Sequence, residues 1–225
     1  MTKDYLDVSY SVQRTPFTNY PSQLASYLAN KYQFETKSKI LEVGAGRCEV
    51  LSNLKQIGME CIAADISPVS KEYSENFGIE FYLLQNDNKL PFDNDSVDII
   101  YTKSLIEHID DPLVLVSEFM RVLKPGGKLL CLTPDWESNM KIFYDDITHV
   151  KPFTKKSLEQ LFEMVGLNEI SVKVFRQLPS TWNNRAIESL SIMIRPFVHR
   201  RAKMKFLRWS RELMLIAYGE KSVKE

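Results

Sequence analysis

The chain has 225 residues, 44% of them hydrophobic, and its 29 lysines and arginines balance 29 aspartates and glutamates. A chain of this size buries one sizeable core with no obvious room for two, so a single domain is expected. Zero net charge excludes the basic field of a nucleic-acid binder, and no nucleic-acid partner is expected.

The first eleven residues carry no basic segment followed by an apolar core, and no apolar run is long enough to span a bilayer, which predicts a cytoplasmic protein. Cys48, Cys61 and Cys131 are widely spaced, without the paired spacing of a zinc site, and read as small, reduced core residues.

Residues 1–36 form a lead-in, with a helix over 21–32 that Pro21 opens and that carries Leu24, Tyr27 and Leu28 on one face. A core over 37–175 follows. Its first strand, 40–43, ends abruptly in Gly44-Ala45-Gly46, after which Val50, Leu51 and Leu54 recur at helical spacing. Strand 61–64, helix 68–77, strand 80–84, strand 97–101, helix 112–122 and strand 128–133 continue the alternation. It implies a parallel sheet covered on both faces. Lys124-Pro125-Gly126-Gly127 reads as a turn between the last helix and strand. A helix over 155–165 stops at Gly166, and 169–175 alternates as a late strand. Residues 176–225 form a basic helical appendage inserted before a final edge strand at 213–218.

The glycine turn lets backbone approach a ligand closely, and the helix behind it presents free N–H groups. Asp65, at the end of the second strand, is placed to accept hydrogen bonds from ribose hydroxyls. A dinucleotide normally wants a third glycine where Cys48 stands, and Glu42 and Glu49 would repel its pyrophosphate. A ligand bearing a sulfonium and an ammonium group suits these acidic surroundings. A nicotinamide-dependent oxidoreductase is therefore disfavoured.

In these motifs the sequence resembles the class I S-adenosylmethionine-dependent methyltransferases. Ile40-Leu41-Glu42-Val43-Gly44-Ala45-Gly46 is similar to that family's first motif, Ala64-Asp65-Ile66-Ser67 to the segment holding its ribose-binding acid, and Leu90-Pro91-Phe92 with 96–100 to the lead into its fourth strand. Ile106-Glu107-His108-Ile109 and 123–129 match the helix and turn before its fifth. The resemblance covers about residues 38–175. It implies a Rossmann-like α/β fold with a mostly parallel seven-stranded sheet, S-adenosylmethionine as cofactor and S-adenosylhomocysteine as product. The cofactor residues it implies are Glu42, Gly44, Ala45, Gly46, Asp65, Ile66, Asn86, Asp87 and Thr102. An aspartate is usual where Asn86 stands, and either Asn86 or its neighbour Asp87 meets the adenine.

The acceptor side is expected after the fifth strand, where Trp136, Tyr144 and Asp145 cluster as candidates. His149 is a candidate general base with Asp146 to orient it; the alternative is a histidine that fixes its loop. Residues 146–166 resemble a segment of bacterial methyltransferases associated with surface-polysaccharide and other glycan pathways, which implies O-methylation of a sugar, a glycan-linked lipid or a related small molecule. Alternatives are N- or C-methylation and a non-catalytic binding module. Asp145 and Asp146 lack a full ligand set, so no metal is expected. From Arg195 to Arg211 seven lysines and arginines interleave with apolar residues; this stretch is either a peripheral contact with the inner face of a membrane or a packed helix with solvated charges.

Overall fold

The computed structural model describes residues 3–85, 87–199 and 202–223. Among these, seven strands form one sheet in the order β3-β2-β1-β4-β5-β7-β6, and the chain divides into two compact units.

The first unit comprises Met1–Thr102, Val114–Leu129 and Lys221–Glu225. Short helix α1 (Tyr5–Ser9) and α2 (Tyr20–Lys31) precede β1 (Lys39–Val43), α3 (Glu49–Gln56), β2 (Glu60–Asp65), α4 (Val69–Asn76), β3 (Glu80–Leu83) and β4 (Val97–Lys103), and α5 (Pro112–Val122) leads into β5 (Leu123–Pro134). Strand β1 pairs in parallel with β2, Leu41 opposite Ile62, and with β4, Leu41 opposite Ile100; β2 pairs in parallel with β3. Ile40, Leu41 and Val43 are all buried, as the near-continuous apolar run of a strand covered on both faces requires. Helix α5 buries Leu115, Val116, Phe119 and Val122, the i, i+1, i+4, i+7 stripe of a helix lying on a sheet.

The expected turn at 124–127 is part of β5, which begins at Leu123. Gly126 still has φ +76°, and a Cβ on Gly127 would lie 2.7 Å from the Lys124 carbonyl oxygen and 3.1 Å from that of Asp98. The glycines bend the strand's first residues against the start of β4 instead of forming a separate connection.

The second unit comprises Lys103–Leu113 and Leu130–Glu220. It holds α6 (Trp136–Asn139), α7 (Lys155–Met164), β6 (Leu167–Arg176), α8 (Arg185–Ile194), α9 (Lys205–Arg211) and β7 (Leu213–Lys221). Thr154 opens α7 with a reciprocal cap: its hydroxyl accepts from Ser157 N–H while Ser157 Oγ accepts from Thr154 N–H. Gly166, at φ +81°, ends it.

The final strand corrects an expectation: β7 lies between β5 and β6, and β6 is the edge. Leu213 at the start of β7 accepts a hydrogen bond from Asp135 N–H just past β5, while Gly219 near its end lies against Leu167 at the start of β6. Strand β7 therefore runs opposite to both neighbours. Leu213 to Ala217 are all buried, whereas β6 is buried only at Leu167, Val172 and Phe175; a run apolar at every residue belongs inside a sheet.

Candidate active site

Gly44 and Gly46 follow β1 with φ of +75° and +50°, and Cys48, at +54°, opens α3. This left-handed backbone suits glycine, which has no Cβ penalty there. The N–H groups of Gly44 and Ala45 bond the Ala64 carbonyl at 2.8 and 3.2 Å, locking the turn to the end of β2. Thr102 donates its hydroxyl to the Val43 carbonyl at 2.9 Å, which ties β4 to β1 beneath the turn.

Asp65 is 1% exposed. Its Oδ1 accepts from Ser67 N–H at 2.8 Å, its Oδ2 from Gly46 N–H at 2.7 Å, and the Tyr5 hydroxyl reaches both oxygens at 3.2 and 3.0 Å. Burial pushes this carboxyl up from its ordinary value, and the bonds from Ser67, Gly46 and Tyr5 pull it back. The next residue, Ile66, is exposed, as is Asp87, whose Oδ1 accepts from Lys89 N–H at 3.0 Å. Asn86 lies outside the described residues.

Arg47, beside the turn, was not anticipated as a structural residue. It is buried, its guanidinium donating to the Tyr10 and Thr15 carbonyls, pairing with Glu49 at 2.9 Å and lying 4.6 Å from the Phe17 ring centroid. This cation is spent on anchoring the N-terminal segment. With Glu42 and Asp65 buried in the wall of the turn, the residues present fit a cationic cofactor bearing a ribose diol and offer poor compensation for a pyrophosphate.

In the second unit a cleft of about 190 Å³ is lined by His149, Asn139, Gln177 and Glu212 together with apolar groups that include Phe143 and Met214. His149 Nδ1 lies 2.6 Å from the Phe143 carbonyl oxygen. A carbonyl only accepts, so Nδ1 carries a proton, and in the neutral ring the lone pair lies on Nε2. The Phe143 ring packs on the imidazole at 4.4 Å between centroids, and Trp136 and Tyr144 meet Phe143 edge-on. The orienting contact expected of Asp146 is supplied by the Phe143 carbonyl: the Asp146 carboxylate instead takes the N–H and hydroxyl of Thr148 at 2.9 and 2.6 Å. Asp145 is exposed.

Glu107 is the residue that sequence reasoning passed over. It is fully buried in a 3-10 turn over Ile106–His108 after β4, where Oε2 accepts from Thr133 Oγ1 at 2.9 Å. Burial raises its carboxyl from the usual 4.5 to about 7, although the Thr133 bond and Lys103 oppose the shift. The Glu-His pair at 107–108 was the available signal.

The family model described as "Methyltransferase domain" matches residues 14–172, and the chain belongs to that family. It is a class I S-adenosylmethionine-dependent methyltransferase, whose cofactor supplies the electrophilic methyl group. The chain is 25% identical over 184 residues to a ubiquinone biosynthesis O-methyltransferase of Ruegeria sp. (strain TM1040), covering 71% of this chain and 74% of that one. It is 33% identical over 100 residues to a malonyl-[acyl-carrier protein] O-methyltransferase of Hahella chejuensis, covering 42% and 36%. Two solved structures share the fold. One is a chain of the complex between the Haloferax volcanii Trm112 methyltransferase activator and a methyltransferase (TM-score 0.77, 18% identity, covering 100% and 99%), and the other a SAM-dependent methyltransferase from Archaeoglobus fulgidus (0.69, 18%, 97% and 100%).

Proposed function

We propose that the protein O-methylates a hydroxyl of a small or lipid-linked acceptor, a class that includes sugars and glycan-linked lipids. The observation that carries this reading is His149 on the cleft wall, with Nδ1 held by a backbone carbonyl, which in the neutral ring leaves Nε2 to accept a proton. A hydroxyl must lose its proton to attack a sulfonium methyl, whereas an amine is already nucleophilic. The Ruegeria and Hahella relatives are both named O-methyltransferases, which supports a hydroxyl acceptor. The cleft is smaller than the roughly 300–1,000 Å³ of a drug-sized pocket, so it suits one ring or headgroup of a larger acceptor.

On the cofactor side Gly44, Ala45 and Gly46 take the amino-acid end beside Glu42, Asp65 takes the ribose in place of the Tyr5 hydroxyl, Ile66 and Asp87 border the adenine, and Thr102 fixes the floor. Trp136, Tyr144 and Asp145 border the acceptor. The test is transfer of labelled methyl from S-adenosylmethionine to matched hydroxyl and amine acceptors, covering phenols, nucleotide sugars and glycolipids. Labelled ether products support the reading; label on amines alone overturns it.

The basic stretch favours a second reading, a peripheral membrane face. Among the described residues no helix is long and apolar enough to cross a membrane, yet Phe197 is 89%, Met193 70% and Met204 68% exposed beside exposed Lys203 and Lys205. Arg195, Arg208 and Arg211 are instead engaged with Ser138, Glu212 and the backbone of 195–198, and Arg200 and Arg201 lie outside the described residues. Insertion of apolar side chains should thus contribute more than charge. Sedimentation with anionic vesicles is expected to carry the protein down, and Phe197→Ser to reduce the bound fraction several-fold. No vesicle binding at low salt overturns it.

A further inference from the structure

Glu107, His108 and His149 come from two separate segments, yet each brings a metal-binding atom to within 4.8 Å of the other two. The loop after α6 is pinned there by backbone: the N–H groups of Val150 and Lys151 both bond the Glu107 carbonyl at 2.9 Å. Glu107 Oε1 is buried with no hydrogen-bond partner, although a buried carboxyl oxygen left unpaired is costly. Both imidazoles have Nδ1 against a carbonyl, His149 at Phe143 and His108 at Thr148 (3.1 Å), the latter also 2.9 Å from the Thr148 hydroxyl. The rings themselves lie 4.7 Å apart between centroids.

We propose that Glu107, His108 and His149 form a divalent transition-metal site of the zinc class that opens on the cleft. Three features carry it. Two neutral imidazoles and one carboxylate are the donor set of open, catalytic zinc sites, which keep a further position for water or substrate. Ligating histidines ordinarily donate their second ring N–H to a carbonyl or carboxylate, and both do so here. The orphaned Glu107 oxygen gains the partner it lacks. Bonds of about 2.0–2.2 Å to the ion require the three donor atoms to draw closer than 4.8 Å on binding.

An ion held there uses the lone pair of His149, and it takes over the task of making an acceptor hydroxyl acidic by binding its oxygen as a Lewis acid. That role rests on the hydroxyl-acceptor reading; the binding of the ion does not.

The test is calorimetric titration of chelator-treated protein with Zn²⁺, and with Co²⁺ read by its visible d–d absorption, with circular dichroism to check folding of each variant. One equivalent of ion is expected, with affinity at least tenfold lower in His149→Ala and in Glu107→Gln. His108→Ala, altering a ligand that is only partly buried, keeps the test valid if Glu107→Gln does not fold. Absence of stoichiometric binding, or binding unchanged in folded variants, overturns the site. Methyl transfer is scored separately: ether formation by protein shown to bind no metal overturns the site and leaves the O-methyltransferase reading standing, while stoichiometric ion binding that depends on these residues supports the site even if every hydroxyl acceptor fails.

Discussion

His149→Ala is expected to lower turnover roughly 10²–10⁴-fold, the span of general acid–base contributions, while S-adenosylmethionine affinity stays within about a factor of two. The imidazole is held on three sides, by the Phe143 carbonyl at Nδ1, by the Phe143 ring and by His108. Its basic nitrogen therefore has little freedom, and removing the ring removes the one histidine that borders the cleft among the described residues. The side chains at the glycine turn are untouched, so cofactor affinity measured by calorimetry is the control. A fall in affinity equal to the fall in turnover would mean that His149 serves the cofactor. Rescue of the variant by free imidazole in metal-free protein would identify a base, whereas rescue that needs added Zn²⁺ would identify a ligand.

Asp65→Ala should cost both affinity and stability. Loss of hydrogen bonds to the ribose hydroxyls weakens S-adenosylmethionine binding by roughly 1–3 kcal/mol, about 5- to 150-fold. The same truncation strips partners from the buried Ser67 N–H and the half-buried Gly46 N–H, and a buried donor left unsatisfied costs about 1–3 kcal/mol, so the urea midpoint should fall as well. Tyr5→Phe separates the two effects. It deletes the hydroxyl that contacts both Asp65 oxygens and leaves the backbone donors in place, so the fold should persist and affinity should equal or exceed that of the parent. A Tyr5→Phe variant that loses the cofactor would show the hydroxyl to be part of the binding site instead of a stand-in for the ribose.

Much of the first unit was legible because its signals are local. The apolar run at 40–43, the glycines behind it and the stripe formed by Val50, Leu51 and Leu54 lie within fifteen residues, and each obeys the period of its own element. Helix α5 lies where the alternation of elements expects a helix, about 112–122, and Leu115, Val116, Phe119 and Val122 form its buried face. Strand β7 is legible as a strand, but its place between β5 and β6 is not. Its register depends on partners some 50 and 80 residues away, at Leu167 and Asp135, and only its unbroken burial distinguishes it from an edge.

The sequence by itself determined the alternation of elements, the glycine turn, Asp65 at the end of β2, and hence the methyltransferase fold with its cofactor, because these follow from backbone preference and hydrophobic period over short stretches. Tertiary structure decided what those residues touch. It turned Arg47 inward onto the N-terminal segment, set the Tyr5 hydroxyl on Asp65, exchanged Asp146 for the Phe143 carbonyl as the partner of His149, and brought His149 to the Glu107-His108 pair. Most of these contacts join residues more than thirty positions apart, whose proximity depends on packing and strand order that no local pattern encodes.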